Sequence, residues 1–223
     1  LVTTSAAGDR LEGVHFPATS PAGRRILVVV FGGNAWNAQD AGELVHHLWP
    51  QADVVAFHYR GYSPSKGSPS ARALLADAPL ILATARKQVS AAHTIAVGFS
   101  IGSGVAASLA AQGRVDGAVL VTPFDSLRAV ARGHYPWLPV PLLFRHDMEP
   151  AAALQRSNVP IALISAERDT IIPPVRTAAL RKSVRHLVYD HVVPGAGHND
   201  IYARSDFQRA MGEALEAVLQ GKR

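Results

Sequence analysis

Residues 94–102 read Thr94-Ile95-Ala96-Val97-Gly98-Phe99-Ser100-Ile101-Gly102, an apolar run that ends at a serine with a glycine two positions to either side. The run predicts a buried strand, and the alanine-rich stretch 101–112 predicts a helix. A serine on so sharp a turn takes a strained backbone conformation, and side chains at the two glycine positions would collide. The turn would expose the hydroxyl of Ser100 and direct the N–H of Ile101, at the positive end of the helix, toward a developing oxyanion. The stretch therefore predicts a nucleophilic serine at position 100.

The same segment admits two other interpretations. The five-residue pattern also occurs as an ordinary glycine- and serine-rich turn without chemistry, so its meaning depends on the strand and helix around it. The overlapping sequence 102–107, Gly-Ser-Gly-Val-Ala-Ala, fits the glycine fingerprint of dinucleotide-binding folds. That fingerprint requires its first glycine directly after the strand and an acidic residue at the end of the next strand. The next strand instead ends in Val121-Thr122-Pro123, so we expect Gly104 to allow close packing of the helix on the sheet.

Apolar, strand-sized segments alternate with longer alanine- and leucine-rich segments along the rest of the chain. Continuous apolar strands separated by helices predict an α/β fold, with a mostly parallel, twisted sheet and helices on both faces. The segment 11–16 follows a Gly8-Asp9 turn signal and is expected to form an antiparallel edge hairpin. The predicted strands are 26–31, 54–58, 94–99, 118–122, 161–165 and 186–192, and the predicted helices are 38–48, 70–89, 101–112, 174–183 and 202–219.

One segment, 123–160, interrupts this alternation. Its prolines at 136, 139 and 141 stand too close together for a long helix, so we expect an irregular excursion with short helices. A length of 223 residues is sufficient for one well-buried domain and short for two. We therefore expect a single domain over residues 1–223, with 123–160 as a short cap insertion within it.

The composition excludes several classes of function. Hydrophobic residues make up 48% of the chain and no apolar run is long enough to cross a membrane, so we expect a globular chain without a transmembrane segment. The absence of cysteine excludes disulfides, thiolate catalysis and cysteine-ligated metals. Although the formal net charge is +5, the basic residues are scattered, and we expect no nucleic-acid partner. We expect a cytoplasmic location, or a periplasmic, secreted or membrane-anchored one if a segment preceding Leu1 was removed.

A serine nucleophile needs a general base, and the base needs a carboxylate that orients it. Of the ten histidines, only His198 stands in a flexible loop between the last predicted strand and the last predicted helix, where α/β sheets build their sites. Asp169 follows the strand 161–165 and is the favoured carboxylate, with Glu167 and Asp125 as competitors. The resulting chain order is Ser, Asp, His, which is the order found in one large class of hydrolases.

Several further segments carry a resemblance to a known family. The segment 32–37 reads Gly-Gly-Asn-Ala-Trp-Asn and matches an oxyanion loop of the form His-Gly-Asn-Ala-x-Asn, with Gly32 at the position of the histidine. The segment 59–70 reads Tyr-Arg-Gly-Tyr-Ser-Pro-Ser-Lys-Gly-Ser-Pro-Ser and is similar to a Tyr-Arg-Gly-Tyr-Gly-x-Ser-x-Gly loop, with Ser63 in place of a glycine. Segments 123–127, 135–137 and 194–200 match as well. The sequence therefore resembles the small α/β-hydrolases of the abhydrolase-domain group, related to the catalytic domains of prolyl-oligopeptidase-type peptidases.

The resemblance implies the α/β-hydrolase fold and a catalytic triad of Ser100, Asp169 and His198. It also implies that the backbone N–H groups of Asn34 and Ile101 form the oxyanion hole. The expected reaction is hydrolysis of a carboxylester or thioester of a small-molecule acyl substrate through an acyl-enzyme at Ser100, without a metal or an organic cofactor. A peptidase or amidase and a non-catalytic binding member of the fold are the alternatives, and the oligomeric state is left open.

Large side chains near the predicted site are candidates for lining a substrate pocket. We expect Trp36, Tyr135, Trp137 and Leu138 at the rim of this pocket, with ordinary packing as the competing interpretation. The excursion 123–160 is too short for a large lid domain, so we expect the pocket to be fairly accessible. The loop 59–70 is expected to be structural, because its glycines and prolines fix turns near the site.

Overall fold

The computed structural model describes residues 1–20, 23, 25–134, 137 and 148–221. Strands and helices alternate along most of this length. The strands are β1 (Val2–Thr4), β2 (Arg10–Phe16), β3 (Ile26–Phe31), β4 (Ala52–Phe57), β5 (His93–Phe99), β6 (Gly117–Val121), β7 (Ile161–Ala166) and β8 (Leu187–Val193). The helices are α1 (Ala38–Leu48), α2 (Ala71–Gln88), α3 (Ile101–Ala111), α4 (Leu127–His134), α5 (Pro150–Leu154), α6 (Pro174–Ser183) and α7 (Ser205–Gln220), with a 3₁₀ turn (Ile201–Ala203) before α7.

The strands of the described residues form one sheet in the order β1-β2-β4-β3-β5-β6-β7-β8. Strand β2 pairs antiparallel with β1 and with β4, whereas all other neighbouring strands are parallel. Because the parallel strands share one direction, their carboxyl ends lie at the same edge of the sheet, where α/β folds build their sites. The predicted α/β-hydrolase fold, with its mostly parallel sheet and antiparallel edge, is confirmed.

Alternate residues of each central strand pack into two separate hydrophobic layers. In β3, Val29 and Phe31 belong to one layer while Val28 and Val30 belong to the other, because successive side chains of a strand point to opposite faces. Helices α2 to α6 pack on the first face, and α1 and α7 pack on the second. Burial on both faces explains why the central strands are continuous apolar runs in the sequence.

Side-chain caps fix where the helices next to the site begin. The Asn37 side chain accepts a hydrogen bond from the N–H of Gln39 at 2.8 Å, which starts α1 directly after the loop 32–36. The Ser70 hydroxyl accepts one from the N–H of Ala73 at 3.1 Å, which starts α2 directly after the loop 59–69. The two caps define the ends of both loops at the carboxyl edge of the sheet.

The structure differs from the sequence-based expectations in several details. Strand β1 was not predicted, because three residues are too short to give a periodic pattern. The last helix begins at Ser205 instead of 202, because the preceding residues form the 3₁₀ turn. Gly104 was expected to face the sheet, but it faces the side chains of Met148 and Phe124.

The excursion after β6 contains α4 and α5, which agrees with the expected short helices. Residues 135, 136 and 138–147 lie outside the described residues, so the cap over 123–160 and the single domain over 1–223 stay predictions. Among the helices of the described residues, none has the length and apolarity needed to span a lipid bilayer.

Candidate active site

The turn after β5 holds Ser100 in a strained backbone conformation. Its φ of 49° and ψ of −117° lie outside the regions that L-residues favour. A Cβ at position 98 would overlap the backbone of Gly102, and a Cβ at position 102 would overlap the carbonyl oxygens of Phe31 and Gly32. Glycine is therefore required at both positions, as the sequence pattern predicts.

Hydrogen bonds on both sides of Ser100 fix this turn. Its N–H donates to the carbonyl oxygen of Val121 on β6 at 2.9 Å. Its own carbonyl oxygen accepts hydrogen bonds from the N–H of Ser103 at 2.9 Å and from the Ser103 hydroxyl at 2.6 Å. Ile101 is the first residue of α3, so its N–H has no acceptor within the helix and is available to a ligand at this end.

Ser100, His198 and Asp169 form a continuous line of hydrogen bonds. The Nε2 atom of His198 lies 3.1 Å from Ser100 Oγ, and the Nδ1 atom of the same ring lies 2.7 Å from Asp169 Oδ2. The three side chains follow β5, β7 and β8, so three loops at the carboxyl edge of the sheet meet here. The structure thus brings together the three side chains that the sequence selects.

The second carboxylate oxygen of Asp169 fixes the orientation of the carboxylate. This atom, Oδ1, accepts hydrogen bonds from the N–H groups of Ile171 at 2.9 Å and Ile172 at 2.7 Å. The side chain is buried, so rotating it would leave both N–H groups, of which that of Ile172 is buried, without this acceptor. The carboxylate therefore presents Oδ2 to His198 in a fixed position.

The competing carboxylates Glu167 and Asp125 have other partners. Glu167 Oε2 accepts a hydrogen bond from the N–H of Gly195 at 2.7 Å, which joins the loop after β7 to the loop that carries His198. Asp125 forms an ion pair with Arg176 of α6 at 3.2 Å. The structure therefore gives both carboxylates partners other than His198.

The loop that carries His198 is braced by Asp200. Its carboxylate accepts a hydrogen bond from the N–H of Gly197 at 2.5 Å and pairs with Arg204. The hydrogen bond from Arg204 holds the pKa of Asp200 below its usual value, and the Gly197 N–H acts in the same direction. Asp200 thus joins the backbone just before His198 to the side chain of Arg204.

The glycine-rich loop after β3 passes directly beside the nucleophile. A Cβ added at Gly33 would lie 3.7 Å from the Cβ of Ser100, so the next residue, Asn34, begins within reach of the serine. The Tyr59 hydroxyl donates to the carbonyl oxygen of Gly32 at 2.8 Å, and the Tyr62 hydroxyl donates to Asn34 Oδ1 at 2.8 Å. Both tyrosines belong to the loop 59–70, which the sequence predicted to be structural. Their contacts with the loop 32–37 were not predicted, because the partners are about 27 residues away in the chain.

A pocket of about 380 Å³ opens beside Ser100. Trp36 lines this pocket, whereas Trp137 is 75% exposed and is not among the lining residues. Tyr135 and Leu138 lie outside the described residues. No group of three or more metal-ligating side chains occurs in the part of the chain that the structure describes. The lining residues are Gly33, Asn34, Ala35, Trp36, Ser100, Ile171, His198, Asn199 and Tyr202.

Aromatic rings form one wall of this pocket. The ring of Trp36 lies 5.0 Å from that of Phe99 and 4.9 Å from that of Tyr202, measured between centroids. Burial raises the pKa of Tyr202 to about 12, so its hydroxyl stays protonated at neutral pH. The sequence did not single out Tyr202, although its position four residues after His198 is a signal that could have found it.

Comparisons with known proteins agree with this fold. A family model described as alpha/beta hydrolase fold matches residues 26–140. An uncharacterised protein of Mycobacterium tuberculosis is 34% identical over 203 residues, which cover 90% of this chain and 72% of that protein. The chain belongs to the α/β-hydrolase family. Membership in this family supports hydrolase activity for this protein.

Two other proteins are more distantly similar to this chain. A lysophosphatidylserine lipase of Danio rerio is 27% identical over 138 residues, which cover 54% of this chain and 36% of the lipase. An esterase of Pyrococcus furiosus superposes with a TM-score of 0.78 at 16% identity, over 98% of this chain and 90% of the esterase, and thus shares the fold. The closer relation to prolyl-oligopeptidase-type catalytic domains stays a prediction.

Proposed function

We propose that this protein is a serine hydrolase that cleaves a carboxylester or thioester of a small-molecule substrate through an acyl-enzyme at Ser100. The observation that carries the proposal is the hydrogen-bonded line from Asp169 through His198 to Ser100, with distances of 2.7 and 3.1 Å. Relatives named as a lipase and an esterase support hydrolysis of an ester bond.

The first half of the reaction depends on where the protons lie in the hydrogen bonds between Asp169, His198 and Ser100. The Nδ1–H of His198 donates a hydrogen bond to Asp169, so Nε2 carries no proton and can accept the one from the Ser100 hydroxyl. The oxygen then attacks the substrate carbonyl carbon and forms a tetrahedral intermediate. The imidazolium gives the proton to the leaving alcohol or thiol, whose bond to the carbonyl carbon breaks, and the acyl group remains on Ser100.

The developing oxyanion needs donors that are already in position. In this proposal the N–H of Ile101, at the start of α3, and the N–H of Asn34, beside the nucleophile, supply them. One such donor contributes about 3–4 kcal/mol to the stabilisation of the transition state. Both groups belong to the backbone, so the donors themselves do not depend on the histidine that Gly32 replaces.

The second half of the reaction releases the acyl group. A water molecule beside His198 loses its proton to Nε2 and attacks the acyl carbonyl carbon. When this tetrahedral intermediate collapses, the bond from the carbonyl carbon to Ser100 Oγ breaks and the proton returns from His198 to Oγ. The pocket beside Ser100 is open to solvent through its rim, which gives this water access. The free acid leaves and the enzyme is restored.

The test is labelling of the intact protein with a fluorophosphonate probe, followed by turnover assays. We expect the wild-type protein to be labelled and Ser100→Ala to be unlabelled, while Ser183→Ala, at the far end of α6, is labelled like the wild type. A chain-length series of p-nitrophenyl esters, an acyl-CoA panel and a p-nitroanilide then separate ester, thioester and amide substrates.

Equal labelling of wild type and Ser100→Ala would overturn the assignment of the nucleophile. A wild-type protein that neither reacts with the probe nor hydrolyses any of the three substrate types would favour a non-catalytic binding function. Turnover of the anilide at the rate of the esters would favour an amidase.

A further inference from the structure

The loop that carries Asn34 has little support from its own backbone. Residues 32–37 form neither helix nor strand, and Ala35 has a left-handed φ of 59°, which a non-glycine residue rarely adopts. Within the loop, the N–H of Trp36 donates to the carbonyl oxygen of Gly33 at 3.3 Å. The position of the Asn34 peptide therefore depends on contacts from outside the loop.

The hydroxyl of Tyr62 supplies two such contacts, one to the side chain of Asn34 and one to the backbone of the next residue. It donates to Asn34 Oδ1 at 2.8 Å and accepts a long hydrogen bond from the N–H of Ala35 at 3.4 Å. The carbonyl oxygen of the Asn34 side chain is an acceptor, so the tyrosine must be the donor in the shorter bond. One oxygen atom thus fixes the side chain of residue 34 and the backbone of residue 35.

Tyr62 is itself held against the body of the protein. Its N–H donates to the carbonyl oxygen of Tyr59 at 2.9 Å, and the two rings meet edge to face at 5.9 Å between centroids. Tyr59 is buried and bonds to Gly32, and Arg60 between them pairs with the buried carboxylate of Asp77 on α2. These contacts hold the half-buried ring of Tyr62 in place, and its hydroxyl meets Asn34 and Ala35 at the exposed side of their loop.

We infer that Tyr62 is a positioning residue that holds the Asn34 N–H at the place of the oxyanion through the hydrogen bond of its hydroxyl to Asn34 Oδ1. This inference rests on the proposed function of Ser100. Because the donor is required in the transition state more than in the bound substrate, loss of the hydroxyl should lower kcat and leave KM nearly unchanged. It should also weaken a transition-state analogue that forms an oxyanion, such as a trifluoromethyl ketone.

The experiment measures kcat and KM for p-nitrophenyl butyrate, and inhibition by the trifluoromethyl ketone, in three variants. Tyr62→Phe removes the hydroxyl and keeps the ring, and Asn34→Ala removes the acceptor and keeps the N–H. For each we expect a loss of about tenfold in kcat and in affinity for the ketone, which corresponds to one neutral hydrogen bond. The double variant should lose no more than either single one, because the two changes break the same bond.

Tyr189→Phe is the matched control, since its hydroxyl bonds to Glu213 on the surface of β8 and α7, and we expect wild-type kinetics. Thermal unfolding of each variant checks that the fold is intact. Wild-type kcat and ketone affinity in both Tyr62→Phe and Asn34→Ala would overturn the inference, as would additive losses in the double variant. Failure of the proposed function has a different signature, because Ser100→Ala would then be as active as the wild type.

Discussion

The carboxylate of Asp169 contacts the Nδ1 atom of His198 at 2.7 Å with one oxygen while its other oxygen accepts two backbone N–H groups. The imidazole of His198 thus donates to an Asp169 oxygen whose orientation is fixed by these backbone hydrogen bonds. If Ser100 is the nucleophile, this relationship selects the tautomer in which Nε2 is free to accept the hydroxyl proton.

The first prediction concerns that tautomer. In Asp169→Asn, the oxygen can keep its bonds to the N–H groups of Ile171 and Ile172, which leaves the amide N–H facing His198 Nδ1. The ring then carries its proton on Nε2 and cannot act as a base, so we expect kcat to fall by about 10⁴-fold. The measurement is steady-state hydrolysis of p-nitrophenyl butyrate. Glu167→Gln, whose oxygen can still accept the Gly195 N–H, should retain wild-type activity, and a loss there equal to that of Asp169→Asn would contradict the assignment.

A second prediction follows from the close approach of backbone at the turn. In Gly98→Ala the new methyl group overlaps the backbone of Gly102, and we expect a loss of about 3 kcal/mol in the free energy of unfolding. Gly212→Ala is the control, because that glycine lies in α7 with open space around it, and alanine there should stabilise the protein by about 0.5–1 kcal/mol. Urea denaturation measures both, and equal stabilities of the two variants would show that the turn tolerates a side chain.

The aromatic wall of the pocket leads to the third prediction. Trp36 packs against Tyr202 and against the fully buried Phe99, so the wall cannot move aside to admit a longer substrate. Trp36→Ala should raise the ratio of kcat/KM for decanoate over butyrate p-nitrophenyl esters by about tenfold. Val175→Ala, an exposed position on α6, should leave the ratio unchanged. An unchanged ratio in Trp36→Ala would mean that the acyl chain does not contact this wall.

The fourth prediction concerns the pH dependence of stability at a site remote from Ser100. Asp53 on β4 is completely buried and accepts hydrogen bonds from Arg25 at 2.8 Å and His15 at 2.9 Å. Burial alone would raise the pKa of Asp53, but these hydrogen bonds outweigh it and hold the pKa below its usual value. The carboxylate therefore contributes stability above its unfolded pKa of about 4, and this contribution is lost as the pH falls through the lower folded pKa.

We therefore expect Asp53→Asn to destabilise the protein by about 2 kcal/mol at pH 7, with the difference from wild type shrinking as the pH falls below about 4. Urea denaturation between pH 3 and 7 measures the difference. Asp190→Asn removes a surface ion pair with Arg181 and should cost less than about 1 kcal/mol at pH 7. A difference for Asp53→Asn that stays constant over the whole range would contradict the ion-pair interpretation.

Sequence patterns predicted the parts of the fold that depend on local chemistry. The glycines at 98 and 102 are required by backbone contacts within one turn, and the central strands are apolar because both faces are covered. Strand β1 and the 3₁₀ turn before α7 were missed, because each is only three residues long and its conformation depends on its neighbours.

The candidate site shows the same division between local and tertiary information. His198 and Asp169 could be selected because each follows a strand at the expected edge. The roles of Tyr59 and Tyr62 could not be selected, because each depends on contact with residues far away in the chain. A tyrosine in a glycine- and proline-rich loop carries no local signal for the carbonyl it will meet.

The separation of 98 residues between Ser100 and His198 has a consequence for folding studies. The two side chains, together with Asp169, follow β5, β7 and β8, so they meet only after those strands have paired through β6. In a refolding experiment, recovery of fluorophosphonate labelling would therefore report completion of the carboxyl-terminal half of the sheet. In a variant with Trp36 and Trp137 replaced by phenylalanine, fluorescence from Trp49, which packs between α1 and α7, would report the burial of one helical layer separately.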